Sequence, residues 1–185
     1  MSSERRAVLI NTALRLFLRD GFHATGIDKI LAESGVAKMT LYKHFGSKDE
    51  LIAAVIEHCD EQHRPWIISE TEKRAKSPRR RLLALFDVYT EWLSNDFAGC
   101  IFVKAASEYG SLDSPLHRAA KRHKDAIREY AQRLCEEAGA KHPQELARQI
   151  AMLLEGSLVT AMMNGELDAA KVAKKVAETL LASEL

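Results

Sequence analysis

Apolar residues recur at close to helical spacing along almost the whole chain, and hardly any stretch alternates as a strand would. The 9 glycines and 4 prolines are few, and they sit where helices should start or stop. That pattern restricts the chain to an all-α fold of about nine helices. With 185 residues it can bury a real core without disulfides.

The helices can be placed by their punctuation. Residues 3–20 carry Leu9, Ala13, Leu16 and Phe17 on one face, and Gly21 is a natural stop. Thr25 and Asp28 have the spacing of a capping box for a second helix, which Gly35 ends. A third helix spans 38–45, with Leu41 and Phe45 inward. Ser47 and Glu50 form another capping box, opening a fourth helix that runs to about Ala75. Pro65 lies inside it and predicts a kink or break near 61–65. Ser77-Pro78 opens a fifth helix to about Ser94, and Cys100 to Tyr109 is a short sixth. Ser114-Pro115, His142-Pro143 and the Asn164-Gly165 turn mark the seventh, eighth and ninth, the last over 167–182.

Charge is distributed unevenly. Residues 1–48 hold eight Lys/Arg against four Asp/Glu, a net of +4, so the remainder carries −3 of the overall +1. A basic head on a mildly acidic body suits a nucleic-acid contact confined to one end. Cys59, Cys100 and Cys135 are far apart with no paired metal spacing, which predicts reduced thiols in a cytoplasm. The start MSSERRAVLI lacks the apolar core of a signal peptide, and no apolar run approaches the ~20 residues that span a bilayer. Asp60 and His63 share a helical face, but no second such pair completes a metal site. The chain shows no nucleophile–base–orienter set, phosphate-cradling glycine loop or credible carboxylate pair. Neither an enzyme, a metal nor a cofactor is expected.

Residues 25–48, TGIDKILAESGVAKMTLYKHFGSK, read as two short helices around a tight turn. A helix fits the major groove, where side chains read base edges. It needs an apolar side to anchor it, phosphate contacts on its flanks and exposed groups between. Leu41 and Phe45 supply the first. Lys38, Thr40, Tyr42, Lys43 and His44 stand around the open side. Thr25 and the Ser47-Lys48 corner are placed where helix N-termini bind phosphate.

The segments GVAKMTLYKHFGSKDEL and FLRDGFHATGIDKILAESGV closely resemble the recognition region of TetR/AcrR-type transcriptional regulators. The detailed resemblance covers about residues 5–55, and GCIF…ASEY resembles one C-terminal subgroup. It implies a three-helix DNA-binding domain at 1–47 and a ligand-binding and dimerisation domain at 48–185. It also implies a homodimer on a double-stranded operator, usually a repressor released by a small-molecule effector. Family DNA contacts carry over onto Thr25, Lys38, Met39, Thr40, Tyr42, Lys43, His44 and Lys48. Tyr42, His44 and Lys48 fall mainly on phosphates, and Lys38 to Thr40 nearer the bases. Two positions depart from the pattern. Ala37 stands where a hydroxyl residue commonly caps the reading helix, a loss of about 1 kcal/mol. Met39 stands where glycine is common and can place an apolar group against a thymine methyl.

In the body, Leu146, Ile150, Leu153, Leu154, Ser157, Leu158 and Ala161 of the eighth helix and Val172, Val176 and Leu180 of the ninth make large apolar faces. A four-helix dimer interface is expected there, against the alternative of ordinary core. Candidate ligand contacts are Tyr89, Trp92, Phe102, Glu108, His123, Met152, Glu155 and Met162. Cys100, after Gly99 at a helix start, is added as a possible reactive thiol. The rival functions are a helical small-molecule-binding protein with a vestigial head and a thiol-based sensor acting through Cys100.

Overall fold

The structure, a computed structural model, describes residues 2–95 and 97–185. Among them are nine helices and no strand: α1 (Ser2–Asp20), α2 (Ile27–Ser34), α3 (Lys38–His44), α4 (Lys48–Arg74), α5 (Pro78–Ser94), α6 (Ile101–Glu108), α7 (Pro115–Glu137), α8 (Pro143–Asn164) and α9 (Ala169–Glu184). The all-α architecture and the helix count follow the sequence periodicity.

Two local expectations fail. The first is a break at Pro65, since α4 runs unbroken from Lys48 to Arg74. Glu61 and Pro65 are both exposed, so water can satisfy the carbonyl that proline deprives of a donor. The second concerns the Thr25–Asp28 box. Gly26 is the N-cap of α2 and no side chain caps it. Thr25 is instead fully buried, and its hydroxyl donates to the carbonyl of Gly21 at 2.7 Å. The hydroxyl thus donates to a carbonyl at the end of α1 instead of accepting from an orphan N–H at the start of α2. The second box does form: Glu50 N–H donates to Ser47 Oγ at 3.1 Å, and Gly46 N–H to Glu50 Oε2 at 2.8 Å.

The chain divides into two compact units, 1–62 with 98–123, and 63–97 with 124–185. In the first, α1 packs on α2, α3 and α6. Leu9, Ile10, Ala13, Leu16 and Phe17 of α1 bury against a core that includes Ile30, Leu41, Phe45 and Leu51. Each buried Leu, Ile or Phe side chain here stabilises the fold by about 1.5–3 kcal/mol. An isolated helix as short as α3 would not persist in water; Leu41 and Phe45 hold it. In the second unit, α5, α8 and α9 pack on one another. Ala170, Ala173 and Ala177 give α9 a buried face without bulk, which lets its neighbours approach closely. Among the described helices, α8 alone has the length and hydropathy to suit a bilayer. Its buried side, with Leu146, Ile150, Leu154 and Leu158, belongs to this core.

An ion network ties the end of α1 to α2. Arg15 meets Glu33 at 2.7 Å, Arg19 meets Asp20 at 3.0 Å and Glu33 at 3.3 Å, and Lys29 meets Asp20 at 3.0 Å. Hydrogen bonds from Arg19, then Lys29, lower the Asp20 carboxyl to about 2. Because the folded value is depressed, this tie contributes fully above the unfolded value near 3.9 and is lost as pH falls toward 2. A carboxyl chemical-shift titration of Asp20 should therefore have its midpoint near 2; a midpoint near 4 would show the network unformed.

Candidate nucleic-acid interface

The site begins with the turn between α2 and α3. Gly35 has φ +67°, and its N–H closes α2 onto the Leu31 carbonyl at 3.0 Å. A side chain is strained in that left-handed conformation, so glycine belongs here. Ala37 is the N-cap of α3 and offers no side-chain hydrogen bond. Leu41 and Phe45 point into the core, and the Arg6 guanidinium lies 5.5 Å over the Phe45 ring. What remains outward is the predicted reading face. Met39 is 87% exposed and Tyr42 47%. Lys38 and Lys43 are exposed, while Thr40, His44 and Lys48 are half-buried. Thr25 departs from the expected set, since its hydroxyl is turned inward.

Folding concentrates the charge of the head on this face. Arg15, Arg19 and Lys29 are matched by Asp20 and Glu33. Lys38 has only a loose partner, Asp28 at 3.8 Å, with both side chains well exposed; such a pair is worth little and yields readily. Among the described residues Lys43 and Lys48 make no ion pair. The cations left available therefore cluster on and beside α3. There they can exchange solvent counterions for phosphates.

The candidate ligand residues scatter. Tyr89 and Trp92 meet edge to face at 5.9 Å in one unit, and Trp92 also touches His63 at 4.3 Å and Phe97 at 5.2 Å. Cys100, Phe102, Glu108 and His123 lie in the other. His123 is buried, stacks on Phe102 at 3.7 Å and pairs with Asp60 at 2.7 Å. Glu155 pairs with Lys124 at 2.9 Å, Met152 is exposed and Met162 half-buried. Glu108 is committed to the backbone of the α1–α2 turn: Phe22 N–H donates to its Oε1 at 2.9 Å and His23 N–H to its Oε2 at 2.8 Å. No sequence pattern paired these residues, which are 86 and 85 positions apart. Cys100 is buried, and burial pushes the Cys59 and Cys135 thiols up to about 12. Neither observation supports a reactive thiol. Among the described residues no group of three His, Cys, Asp or Glu could hold a metal ion.

The interface residues also divide. Leu146, Ile150, Leu154, Ser157, Leu158 and Ala161 are buried within their own chain, because α5 and α9 cover that side of α8. They are core. Leu153 and Leu180 are half-buried, and Val172 and Val176 exposed. A second apolar stripe, Met152, Val159 and Met163, faces outward on α8. None of these three was among the expected interface residues, and Met152 was expected instead as a ligand contact.

Residues 9–55 match the family described as bacterial regulatory proteins, tetR family, and residues 78–181 match a tetracyclin repressor-like C-terminal domain. The chain is 33% identical over 99 residues to the HTH-type transcriptional activator FasR of Mycolicibacterium smegmatis, spanning 52% of this chain but 43% of that protein. It is 21% identical over 178 residues to the HTH-type transcriptional regulator YjdC of Escherichia coli, covering 96% and 93% of the two chains. A crystal structure of a TetR-family transcriptional regulator from Streptomyces coelicolor superposes with a TM-score of 0.89 at 28% identity, over 98% of this chain and 96% of that one.

Proposed function

This chain belongs to the tetR family of bacterial regulatory proteins, and from that premise we propose that it is a homodimer that represses from a palindromic operator and releases it when a small molecule binds the body. DNA binding through a helix-turn-helix under ligand control is typical of the family. The observation that carries the proposal is the α3 face: an exposed Met39 and Tyr42 flanked by lysines, above a fully buried Leu41. Residues 1–47 form the reading head in this account and 48–185 the body that dimerises and binds the effector. Each α3 enters a major groove, with half-sites about one turn apart, near 34–36 Å. Met39 and Lys38 lie nearest the bases, while Tyr42, His44 and Lys48 take phosphates. A coupling of ~1–3 kcal/mol between effector and operator would change affinity roughly 5- to 150-fold.

The test is selection from random duplexes by the full-length protein, followed by footprinting. A protected palindrome is expected; no enriched sequence at low salt would sink the proposal. On the selected duplex, Lys48→Ala should weaken binding and reduce the slope of log affinity against log salt by roughly 1.8, one phosphate per protomer. An unchanged slope would remove Lys48 from the contact. A reporter carrying the same duplex reads the sign of regulation, and FasR is named an activator, so loss of expression on deleting the gene would replace repression with activation.

A further inference from the structure

We infer that Glu108 is a positioning residue for DNA reading: its carboxylate, at the end of α6, holds the α1–α2 turn and thereby sets how α2 and α3 are presented. The inference rests on the DNA-reading function proposed above.

The turn is built to receive an anion. Gly21 has φ +88°, and in a turn of this kind successive backbone N–H groups converge to form an anion-binding concavity. The carboxylate fills it with both oxygens, one on Phe22 N–H at 2.9 Å and one on His23 N–H at 2.8 Å. A β-carbon at position 21 would lie 2.8 Å from Glu108 Oε1, so any other residue there would have to displace the carboxylate. The Glu108 carbonyl is tied to the same turn by His23 Nε2 at 3.1 Å. Next to it, the Tyr109 ring lies against Phe22 at 5.8 Å and His23 at 5.1 Å. The Tyr109 carbonyl is held in turn by His117 Nδ1 at 3.0 Å.

Solvation alone does not call for this arrangement. His23 is exposed, and water would satisfy its N–H. A charged acceptor supplied by a distant helix does something water cannot: it fixes the turn in one place with charge-assisted bonds about twice as strong as neutral ones. From the turn the constraint passes directly to the reading helices. Thr25 Oγ1 donates to the Gly21 carbonyl at 2.7 Å, α2 starts two residues after Thr25 at Ile27, and Gly35 leads from α2 into α3. Releasing the carboxylate frees the first link of that series while leaving the Leu41 and Phe45 anchors in place.

The experiment uses full-length Glu108→Gln, close to isosteric but with an amide donor in place of one acceptor oxygen, beside Glu108→Ala. The probe is the duplex that the wild-type protein enriches from a random pool. Both variants should lose about tenfold or more in affinity, the worth of a charge-assisted hydrogen bond, at temperatures far below their melting transitions. Their salt slopes should match wild type, since no phosphate contact is removed. They should also lose the preference for the selected half-site spacing over spacings changed by one base pair. Hydrogen exchange at the Phe22 and His23 amides should accelerate in both. Binding within about twofold of wild type, or a loss that tracks only the unfolded fraction and leaves the spacing preference intact, would overturn the role of Glu108. If the wild-type chain enriches no duplex, the DNA-reading function itself falls, and this inference with it.

Discussion

Replacing Val159 and Val176 together with glutamate is expected to leave the protein monomeric and to lower operator affinity by about 10²- to 10⁴-fold, the advantage that linking two binding modules confers. The two residues sit in the second unit, on the outer faces of α8 and α9. With them are exposed Met163 (78%), Met152 (67%) and Val172 (58%). Their spacings of seven and four along α8, and four along α9, keep each set on one side of its helix. Monomeric proteins rarely expose so many large apolar side chains together. Gly156 lies between Met152 and Val159 with open space where a β-carbon would stand, so a facing helix could approach closely. Four glutamates in the dimer would then be desolvated beside one another, a costly arrangement without cations to pair them. Sedimentation measures the assembly state and the selected duplex measures affinity. A double variant that remains dimeric would move the interface off this face.

The same two helices show how far a sequence pattern reaches. Spacing marked α8 and α9 as carrying large apolar faces, but periodicity cannot say which residues a neighbour in the same chain will cover. Leu154 and Val159 are both apolar and five residues apart; one is core and the other surface because α5 and α9 approach from one side only. The reading head was far more legible. Leu41, Phe45 and the open face around Tyr42 are set by a short helix whose phase leaves little choice. Thr25 shows the limit even there. Its spacing to Asp28 suggested a cap, yet a buried hydroxyl bonds to whatever unsatisfied group lies nearest, and that was the end of α1. Glu108 was harder still, since its partners are main-chain N–H groups, and backbone donors carry no sequence signature. For the ligand contacts no local rule applied at all: the proposed residues are a mixture of polar, aromatic and sulfur-bearing side chains with no common spacing, and the fold distributes them over both units.

Phe22→Ala is expected to destabilise the protein by about 3–5 kcal/mol and to lower the melting temperature by roughly 6–20 °C. Phe22 is completely buried, between the rings of Phe17 at 4.8 Å and Tyr109 at 5.8 Å. Truncation removes the transfer energy of the ring and leaves a cavity whose walls are poorly able to close. The Phe22 N–H is held by Glu108 and the preceding Gly21 by its left-handed conformation, so the backbone cannot sink into the gap without breaking a charge-assisted bond. Total stabilities of 5–15 kcal/mol make such a loss large enough to melt the head at temperatures where wild type is folded. Operator binding should then disappear over the same range. The outward stripe of α8 and α9 belongs to the other unit, so the variant should still sediment as a dimer while it fails to bind DNA. Calorimetry, sedimentation and binding on one sample separate the cases. A loss below about 1 kcal/mol would mean that the turn collapses around the missing ring, and that Gly21 to His23 is held less rigidly than its hydrogen bonds indicate.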